Sequence, residues 1–357
     1  MKNISLMMIT AVAMILFIPL IINGLGKYNV PVNVKPIPES AQSQNTVKTD
    51  PSSRDGSTIT EYTVDEGPEI KVFDAQNNKL MKMKLEEYIR GVVAGEMPAG
   101  FEIEALKAQA VAARTYAITR MLAYGGKGCA EHQGADICTD PTHCQAWISK
   151  EECLKSWSPV EASEKWAKIT AAVDSTNNMI LVYDAVPVMY PMYFSTSSGK
   201  TENSGDIFSY QYPYLRSVSS PDEQVAPKFT SSVSFSNDEF AKKFNQSGYG
   251  IKLDKAKLSS QVKVLERTEG GSVKKISAGG KNLTGMNVRT ILGLNSANFT
   301  IEFRKNEVAL NVIGYGHGVG MSQWGANVMA GKGKKFDEVL KYYYQGVEIK
   351  NIKSIYK

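Results

Sequence analysis

The spacing of apolar residues beyond residue 68 predicts a chain that switches repeatedly between strand and helix. A helix over 85–96 is predicted by apolar residues that share one face: Leu85, Tyr88, Ile89, Val92 and Val93. Pro98 blocks its continuation, because proline lacks the backbone N–H that another helical turn needs. A second apolar stripe predicts a longer helix over 104–124, which Gly125 and Gly126 end.

Shorter patterns predict the remaining elements. Alternating or β-branched apolar runs predict strands over 70–73, 80–83, 179–183, 188–194, 233–235, 262–265, 273–276, 299–304 and 307–313. Helical spacing predicts helices over 161–176, 238–245 and 337–344, and one more that contains Leu283, Val288, Ile291 and Leu292. Segments 129–159 and 195–201 are polar and rich in turn residues, which predicts loops. This mixture predicts the α+β fold class.

The first 27 residues have a different pattern. From Ile4 to Leu25 the chain is apolar apart from Ser5, Thr10, Asn23 and Gly24, and a bilayer-spanning helix needs about 20 such residues. A cleaved signal peptide is the alternative, but no Ala-x-Ala cleavage site follows. We therefore predict a single-pass membrane anchor over 1–27, with Lys2 on the cytoplasmic side and the rest of the chain outside the cell membrane.

Composition divides the remainder. Residues 28–67 are rich in Pro, Ser, Thr, Asn and Gln, which predicts a disordered tether. Residues 229–281 combine short strands with many lysines, which predicts a smaller α/β subdomain inserted into a main domain over 68–228 and 282–357. The net charge of +5 does not predict a nucleic-acid partner, and an anionic polymer such as cell wall fits it equally well.

Glu96 is the first candidate for chemistry. It ends the predicted helix just before Pro98, where the negative end of the helix dipole disfavours a carboxylate and so favours the protonated acid. A carboxyl group that can hold or release a proton suits the cleavage of a glycosidic bond. The alternative is an ordinary exposed acid at a helix end.

The second candidate is the Gly-rich block over 314–326. It contains His317, Ser322 and Gln323 among glycines that permit tight backbone geometry near a ligand. The alternative is a structural loop that caps the next helix through Ser322. A Ser-His-Asp hydrolase is another use of His317, but no Gly-x-Ser-x-Gly elbow accompanies it.

A cluster of cysteine and histidine predicts a metal site. His132, Cys138, His143 and Cys144 offer two imidazoles and two thiolates within one polar segment, and this ligand set suits tetrahedral zinc. The alternative is a disulfide, either Cys138 with Cys144 or Cys129 with Cys153, because an exported protein permits disulfides.

The motifs around Glu96 also carry a family resemblance. Gly-Glu-Met-Pro at 95–98, Glu-Ala-Leu-Lys-Ala-Gln-Ala at 104–110 and Ala-Arg-Thr-Tyr at 113–116, with the Gly-rich block at 314–326, resemble the SpoIID/LytB family of peptidoglycan-cleaving enzymes. The resemblance implies that Glu96 is the catalytic acid/base and that the Gly-rich block forms the other wall of the site. It also implies that the main domain is catalytic. The hydroxyls and ring faces of Tyr193, Ser197, Ser198, Asp206 and Tyr210 are predicted to line a groove that holds sugars, in a part that also resembles the family's central motif; the alternative is an ordinary polar loop.

The resemblance implies a lytic transglycosylase that acts on peptidoglycan glycan strands during sporulation, with a cell-wall amidase and a membrane protein as partners. One glutamate can serve this reaction, because the 6-hydroxyl of muramic acid attacks its own anomeric carbon without water. The His/Cys pattern is similar to that of clostridial sporulation members of the family. This similarity implies a structural zinc ion that catalysis does not require. The alternatives are a hydrolytic muramidase and a non-catalytic, amidase-enhancing wall-binding module.

Overall fold

The computed structural model describes residues 65–356. The predicted anchor over 1–27 lies outside the described residues, as does nearly all of the predicted tether over 28–67. Among the described helices, none combines the length and the apolar character that crossing a bilayer requires.

Two compact units make up the described chain. The N-terminal unit contains 65–140, 144–189 and 349–356, and the C-terminal unit contains 190–348 together with 141–143. The predicted limits of an inserted subdomain, 229 and 281, stay a prediction; the division into units falls elsewhere, after 189 and after 348.

The N-terminal unit packs helices against two small sheets. Its first strands and helices are β1 Glu69–Asp74, β2 Lys79–Lys84, α1 Leu85–Glu96, α2 Ile103–Ile118, β3 Ile137–Cys138, α3 Lys150–Ser156, α4 Pro159–Asp174, β4 Met179–Tyr183 and β5 Val186–Pro187. One sheet has the order β2-β1-β3, in which β3 runs parallel to β1. Helix α2 packs against α1, α4 and β4, and its alanines are buried, which lets the helices approach closely.

The C-terminal unit follows with many short strands. Its elements are β6 Tyr193–Phe194, β7 Gly199–Lys200, α5 Ser204–Ile207, β8 Ser219–Ser220, β9 Thr230–Ser236, α6 Asn237–Asn245, α7 Leu258–Gln261, β10 Val262–Arg267, β11 Val273–Ala278, β12 Lys281–Leu283, α8 Gly285–Leu292, β13 Phe299–Phe303, β14 Glu307–Ile313, β15 Met321–Ser322, α9 Gln323–Gly331 and α10 Phe336–Tyr343. The chain ends with β16 Glu348–Asn351, which pairs with β4, and α11 Ile352–Ile355.

One hydrophobic core lies within the central part of the C-terminal unit. It runs from Phe235 on β9 to Val312 on β14 and includes the buried rings of Phe240, Phe244 and Phe299. The sheets β10-β11-β12 and β13-β14-β9 contribute their inner faces to this core. The mixture of helices and small sheets confirms the predicted α+β class.

Several predicted elements have different bounds in the structure. Helix α2 ends at Ile118 rather than near residue 124, because Met121 is extended and a 3₁₀ turn over Leu122–Tyr124 follows. The predicted strand over 188–194 is reduced to β6, and Pro191 cannot donate to a strand ladder in that stretch. Leu283 ends β12 instead of joining the helix that begins at Gly285. Helix α3 was not predicted.

Candidate active site and metal centre

Glu96 is the last residue of helix α1, as its pattern predicts, and it is half-buried. Its Oε1 accepts a hydrogen bond of 2.9 Å from the backbone N–H of Ala146. The next residue, Met97, is extended, so the chain turns away immediately after the carboxylate. The end of helix α1 therefore positions the carboxylate of Glu96, and its hydrogen bond with Ala146 fixes the direction in which the carboxylate points.

Two glycines on α1 let this segment approach the helix. A Cβ atom at Gly95 would lie 3.1 Å from the carbonyl carbon of Ala146. A Cβ atom at Gly91 would lie 2.2 Å from the indole Nε1 of Trp147, a distance that a real side chain cannot adopt. The glycine of the Gly-Glu-Met-Pro motif therefore has a packing role: it brings the Ala146 N–H within reach of Glu96.

Tyrosine side chains lie beside the same segment. The hydroxyl of Tyr88 donates to Oε1 of Gln145 at 3.3 Å. The hydroxyl of Tyr116, from the Ala-Arg-Thr-Tyr motif, shares a hydrogen bond with Cys144. Burial raises the pKa of both phenols, so they remain neutral donors around pH 7.

Four potential metal ligands converge next to this segment. The Sγ atoms of Cys129, Cys138 and Cys144 and a ring nitrogen of His143 all lie within 4.8 Å of one another. Cys138 is fixed by strand β3, which pairs with β1, and the backbone N–H of Cys144 donates to Asp140 at 2.8 Å. Within residues 65–356 none of the four cysteines forms a disulfide.

The set of converging ligands differs from the predicted one in one position. His132 was predicted as a ligand, but its ring stacks on Phe73 with the centroids 3.7 Å apart, and Cys129 takes its place. The reason is the fold of the loop. The backbone N–H of Cys129 donates to Ala135, and the carboxylate of Asp136 accepts from the N–H groups of Lys71 and Leu122.

The donor set fits a tetrahedral metal. Three thiolates with one imidazole are a known zinc combination, and Zn–S bonds of about 2.3 Å place sulfur atoms roughly 3.8 Å apart. The hydrogen bond with Cys144 and burial raise the pKa of Cys138, and burial raises that of Cys129. Thiols packed this closely resist ionisation, and a bound divalent cation reverses that preference.

The backbone occupies both ring nitrogens of His317 in the Gly-rich block. Nδ1 accepts the N–H of Val319 at 3.1 Å, which leaves the proton on Nε2, 3.1 Å from the carbonyl oxygen of Tyr193. Burial, together with the positive charge of Arg289, lowers the pKa of His317 to about 3. The ring is therefore neutral at physiological pH, and it holds the block against β6.

Ser322 and Ser197 meet at a buried carboxylate that the sequence did not single out. Oε2 of Glu223 accepts from the Ser322 hydroxyl and from the Ser197 N–H, both at 2.7 Å. Oε1 accepts from the Ser220 hydroxyl at 2.6 Å, and that hydroxyl also contacts the hydroxyl of Tyr343 at 2.6 Å. Burial raises the pKa of Glu223 to about 7 although all these groups donate to the ionised form.

The other predicted groove residues fall into two groups. Ser322 and Gln323 are buried, and Ser322 caps α9 by accepting the N–H of Gly325 at 3.2 Å. Ser198, Asp206 and Tyr193 are half-buried, and Tyr210 is 58% exposed. Asp206 pairs with Lys274 at 3.0 Å. Of these two groups, only the partly exposed residues are accessible to a ligand at the surface.

Tyr210 belongs to an aromatic cluster. Its ring packs edge-on against Tyr212 with a centroid separation of 4.8 Å, and Tyr212 also contacts Tyr190 and Tyr214. Tyr190 and Tyr210 are both partly exposed. Aromatic faces of this kind can stack on apolar surfaces of a ligand.

Three buried residues of interest were not among the predicted ones. Cys129 had a signal in the sequence, because it shares the polar segment with the other ligands. Glu202 directly follows the Ser/Thr/Gly run over 195–201, a weak signal, and is buried. Glu223 has no motif around it, and besides the nearby Ser220 its partners Ser197 and Ser322 are distant in the chain.

Comparisons with known proteins place these features in a family context. The family model for SpoIID, described as stage II sporulation protein, matches residues 74–183. That stretch contains Glu96 and the converging ligands, and it ends before the Gly-rich block.

Individual relatives extend the similarity over the whole chain. Stage II sporulation protein D of Bacillus subtilis (strain 168) is 37% identical over 350 residues, covering 98% of this chain and 96% of the relative. The protein of the same description from Bacillus amyloliquefaciens is 36% identical over 319 residues, covering 88% of this chain and 89% of the relative. The amidase enhancer of Bacillus subtilis (strain 168) is 27% identical over 308 residues, covering 73% of this chain and 40% of the relative.

Proposed function

Because the chain belongs to the SpoIID family of sporulation proteins, we propose that it is a peptidoglycan lytic transglycosylase. In this proposal it cleaves the bond between N-acetylmuramic acid and N-acetylglucosamine and remodels the septal wall during engulfment. The observation that carries the proposal is the placement of Glu96: a half-buried carboxylate at a helix end, held by the Ala146 N–H within the stretch that matches the family.

A single glutamate can complete the reaction. Protonated Glu96 gives its proton to the glycosidic oxygen, and the N-acetylglucosamine unit leaves with that oxygen as a hydroxyl. The 6-hydroxyl of muramic acid then bonds to its own anomeric carbon, and its proton returns to Glu96. No water is consumed, and the product carries a 1,6-anhydro ring. An intramolecular nucleophile needs no second carboxylate to hold a water molecule.

The remaining parts of the proposal concern the setting. The predicted anchor over 1–27 would hold the catalytic part at the outer face of the cell membrane, close to the wall. The exposed rings of Tyr190 and Tyr210, with Ser198 and Asp206, supply stacking faces and hydrogen-bonding groups for sugar rings. A cell-wall amidase and a membrane protein of the engulfment machinery are the proposed partners.

A zinc ion is the metal that fits the converging ligands. Cys129, Cys138, His143 and Cys144 would hold it, and it would supply a cross-link within the loop over 129–144. Ala146 lies two residues beyond Cys144 and donates to Glu96, so an ordered loop keeps the carboxylate directed. The metal is thus proposed as structural.

The reaction is tested by the mass of its products. Purified protein is incubated with denuded glycan strands in ¹⁸O-labelled water, and the fragments are analysed by mass spectrometry. We expect 1,6-anhydromuramic ends that contain no label. Reducing muramic ends that carry ¹⁸O would make the protein a hydrolytic muramidase instead.

A second candidate follows from the similarity to the amidase enhancer. In that case the chain would bind wall and stimulate an amidase without cleaving glycan itself. The intact Gly-Glu-Met-Pro motif at 95–98 argues against it. The glycan experiment decides this point too, since an absence of any cleaved product together with a stimulated amidase would favour the enhancer.

The metal is tested by paired substitutions. Protein purified without added metal should contain one zinc per chain by elemental analysis. Cys129→Ser should lower both the zinc content and the stability of the loop, because metal binding is coupled to folding. His132→Ala is the matched control and should keep its zinc, since His132 stacks on Phe73. Loss of zinc in His132→Ala with zinc retained in Cys129→Ser would favour the ligand set predicted from the sequence, in which His132 takes the place of Cys129.

A further inference from the structure

We propose that Glu202 forms a second cation site, distinct from the cysteine cluster, which holds a hard metal cation such as Ca²⁺ or K⁺ inside the C-terminal unit. The site does not depend on glycan cleavage. Its basis is a buried carboxylate in a small cavity whose lining includes several hydroxyl groups.

The carboxylate of Glu202 is only half-satisfied by the protein. The residue is 2% exposed, and its Oε1 accepts the N–H of Ser272 at 3.1 Å. Among residues 65–356 no group donates a hydrogen bond to its buried Oε2. An unpaired carboxylate oxygen is costly to bury, so a positive or hydrogen-donating group at this point would be strongly favoured.

The backbone holds the carboxylate firmly in this position. The N–H of Glu202 donates to Gly318 at 2.7 Å, which ties it to the Gly-rich block. A Cβ atom at Gly270 would lie 2.5 Å from the carboxyl carbon, and one at Gly318 would lie 2.8 Å from Cγ. The Glu202 side chain therefore occupies space that a side chain at position 270 or 318 would need, and it fits there because both residues are glycines.

The cavity beside Glu202 presents oxygen atoms whose protons are already committed. The Ser296 hydroxyl donates to the carbonyl oxygen of Ile313 at 2.6 Å, and the Ser198 hydroxyl donates to Gly270 at 3.3 Å. Both serines line the cavity with Glu202. The Ser296 oxygen also accepts the N–H of Asn298 at 3.1 Å. The lone pairs that remain on the two oxygens can only accept a hydrogen bond or coordinate a cation.

The lysine that lines the cavity is directed elsewhere. Lys200 also lines the cavity, but its ammonium pairs with Glu269 at 2.5 Å. His317 lines it too, and its ring is neutral with both nitrogens bonded to the backbone. The cavity therefore has a negative carboxylate without a positive protein group of its own in contact.

Size limits what the cavity can take. Its volume is about 10 Å³, which accommodates a single atom-sized occupant. A sugar ring or an organic cation is too large. Carboxylate and hydroxyl oxygens are the ligands that hard cations prefer, and they suit such cations better than the metals that favour the thiol cluster. The competing occupant is an ordered water molecule.

The test compares cation-dependent stability in the full-length chain. Thermal unfolding of wild type is measured with Ca²⁺, K⁺ or Na⁺ as the chloride, against choline chloride at equal ionic strength. A cation at about 100-fold excess over its Kd should raise Tm by roughly 5–10 °C. Glu202→Gln should remove that rise. Glu266→Gln, which removes an exposed carboxylate from the same unit, should keep it.

A second measurement covers the case in which Glu202→Gln fails to fold. Wild-type crystals are soaked in terbium as a substitute for calcium, or in rubidium as a substitute for potassium, and anomalous scattering is recorded. A peak within coordination distance of Glu202 Oε2, about 2.3–2.6 Å for a calcium-like ion, is expected. The proposal is overturned if no peak is found there, or if the cation-dependent rise in Tm is the same in Glu202→Gln.

Discussion

The two units stabilise their buried acids in opposite ways. In the N-terminal unit, Glu86 and Arg114 form an ion pair of 2.6 Å, and both side chains are fully buried. In the C-terminal unit, Glu223 is bonded to hydroxyl and N–H groups, and within the described residues no cation contributes to its surroundings. In the ion pair, the charge of Arg114 compensates the charge of Glu86. Glu223 has no such counter-charge among the described residues, and its burial raises its pKa to about 7.

The same contrast separates the candidate chemistry. In the N-terminal unit, Glu96 lies at one helix end and Cys129, Cys138 and Cys144 lie close together in the sequence, where recognisable motifs mark them. Glu202 and Glu223 of the C-terminal unit join segments that are far apart in the chain. Local motifs therefore mark the candidate residues of the N-terminal unit, whereas the buried acids of the C-terminal unit can be found only from contacts between distant segments.

The largest effect should come from Glu96→Gln. The amide keeps the shape and can still accept the Ala146 N–H through its oxygen, but it cannot transfer a proton. Glycan cleavage should fall by about 10²–10⁴-fold, the usual contribution of a general acid/base. The rate of product formation by mass spectrometry is the measurement, and thermal unfolding should match wild type.

Glu87→Gln is the control for that experiment, since Glu87 is an exposed acid on the same helix. It should keep full activity. Equal activity in Glu96→Gln and wild type would show that the motif-marked acid has no role in the chemistry.

The next effect concerns the ion pair of the N-terminal unit. Glu86→Gln leaves Arg114 buried without its counter-charge and should lower the free energy of unfolding by about 3–5 kcal/mol. Urea unfolding followed by tryptophan fluorescence measures this. The double change Glu86→Gln with Arg114→Met should recover most of the loss. If the single change costs less than about 1 kcal/mol, the pair is not buried as described.

Glu223 should show the opposite behaviour, a dependence of stability on pH. Burial raises its pKa from 4.5 to about 7, so the folded chain binds this proton more tightly than the unfolded chain. The stabilisation is complete below about pH 4.5 and is lost as the pH rises to about 7, by up to about 3 kcal/mol. Glu223→Gln should remove that slope.

His317 changes stability in the other direction. Its pKa is lowered to about 3, so its contribution increases as the pH rises from about 3 to 6.5. Both proteins carry His317, and the difference between wild type and Glu223→Gln therefore isolates Glu223. A difference that does not vary between pH 4.5 and 7 would contradict the raised pKa.

The smallest effect is expected at a helix cap. Ser149 caps α3 on the surface of the N-terminal unit, and Ser149→Ala should cost about 1 kcal/mol. Ser322 caps α9 but also donates to Glu223, so Ser322→Ala should cost more. Equal losses in the two variants would indicate that the contact with Glu223 adds nothing.

Local patterns determined much of the fold. Helix α1 has the bounds that its apolar face and Pro98 predict, and β4 and β14 also coincide with their predicted ranges. These elements depend on periodicity and on residues close in the chain. The motif around Glu96 was visible for the same reason, because all its parts lie within 95–116. The disulfides considered for the cysteines are not formed in the described residues.

Only the tertiary structure decided which side chains meet. Cys129 rather than His132 joins the converging ligands because β3 pairs in parallel with β1 and Asp136 bonds to two distant N–H groups. Glu223 meets Ser197 and Ser322 across 26 and 99 residues of chain. Such contacts depend on how separate elements pack, and the spacing of residues along one segment carries no information about them.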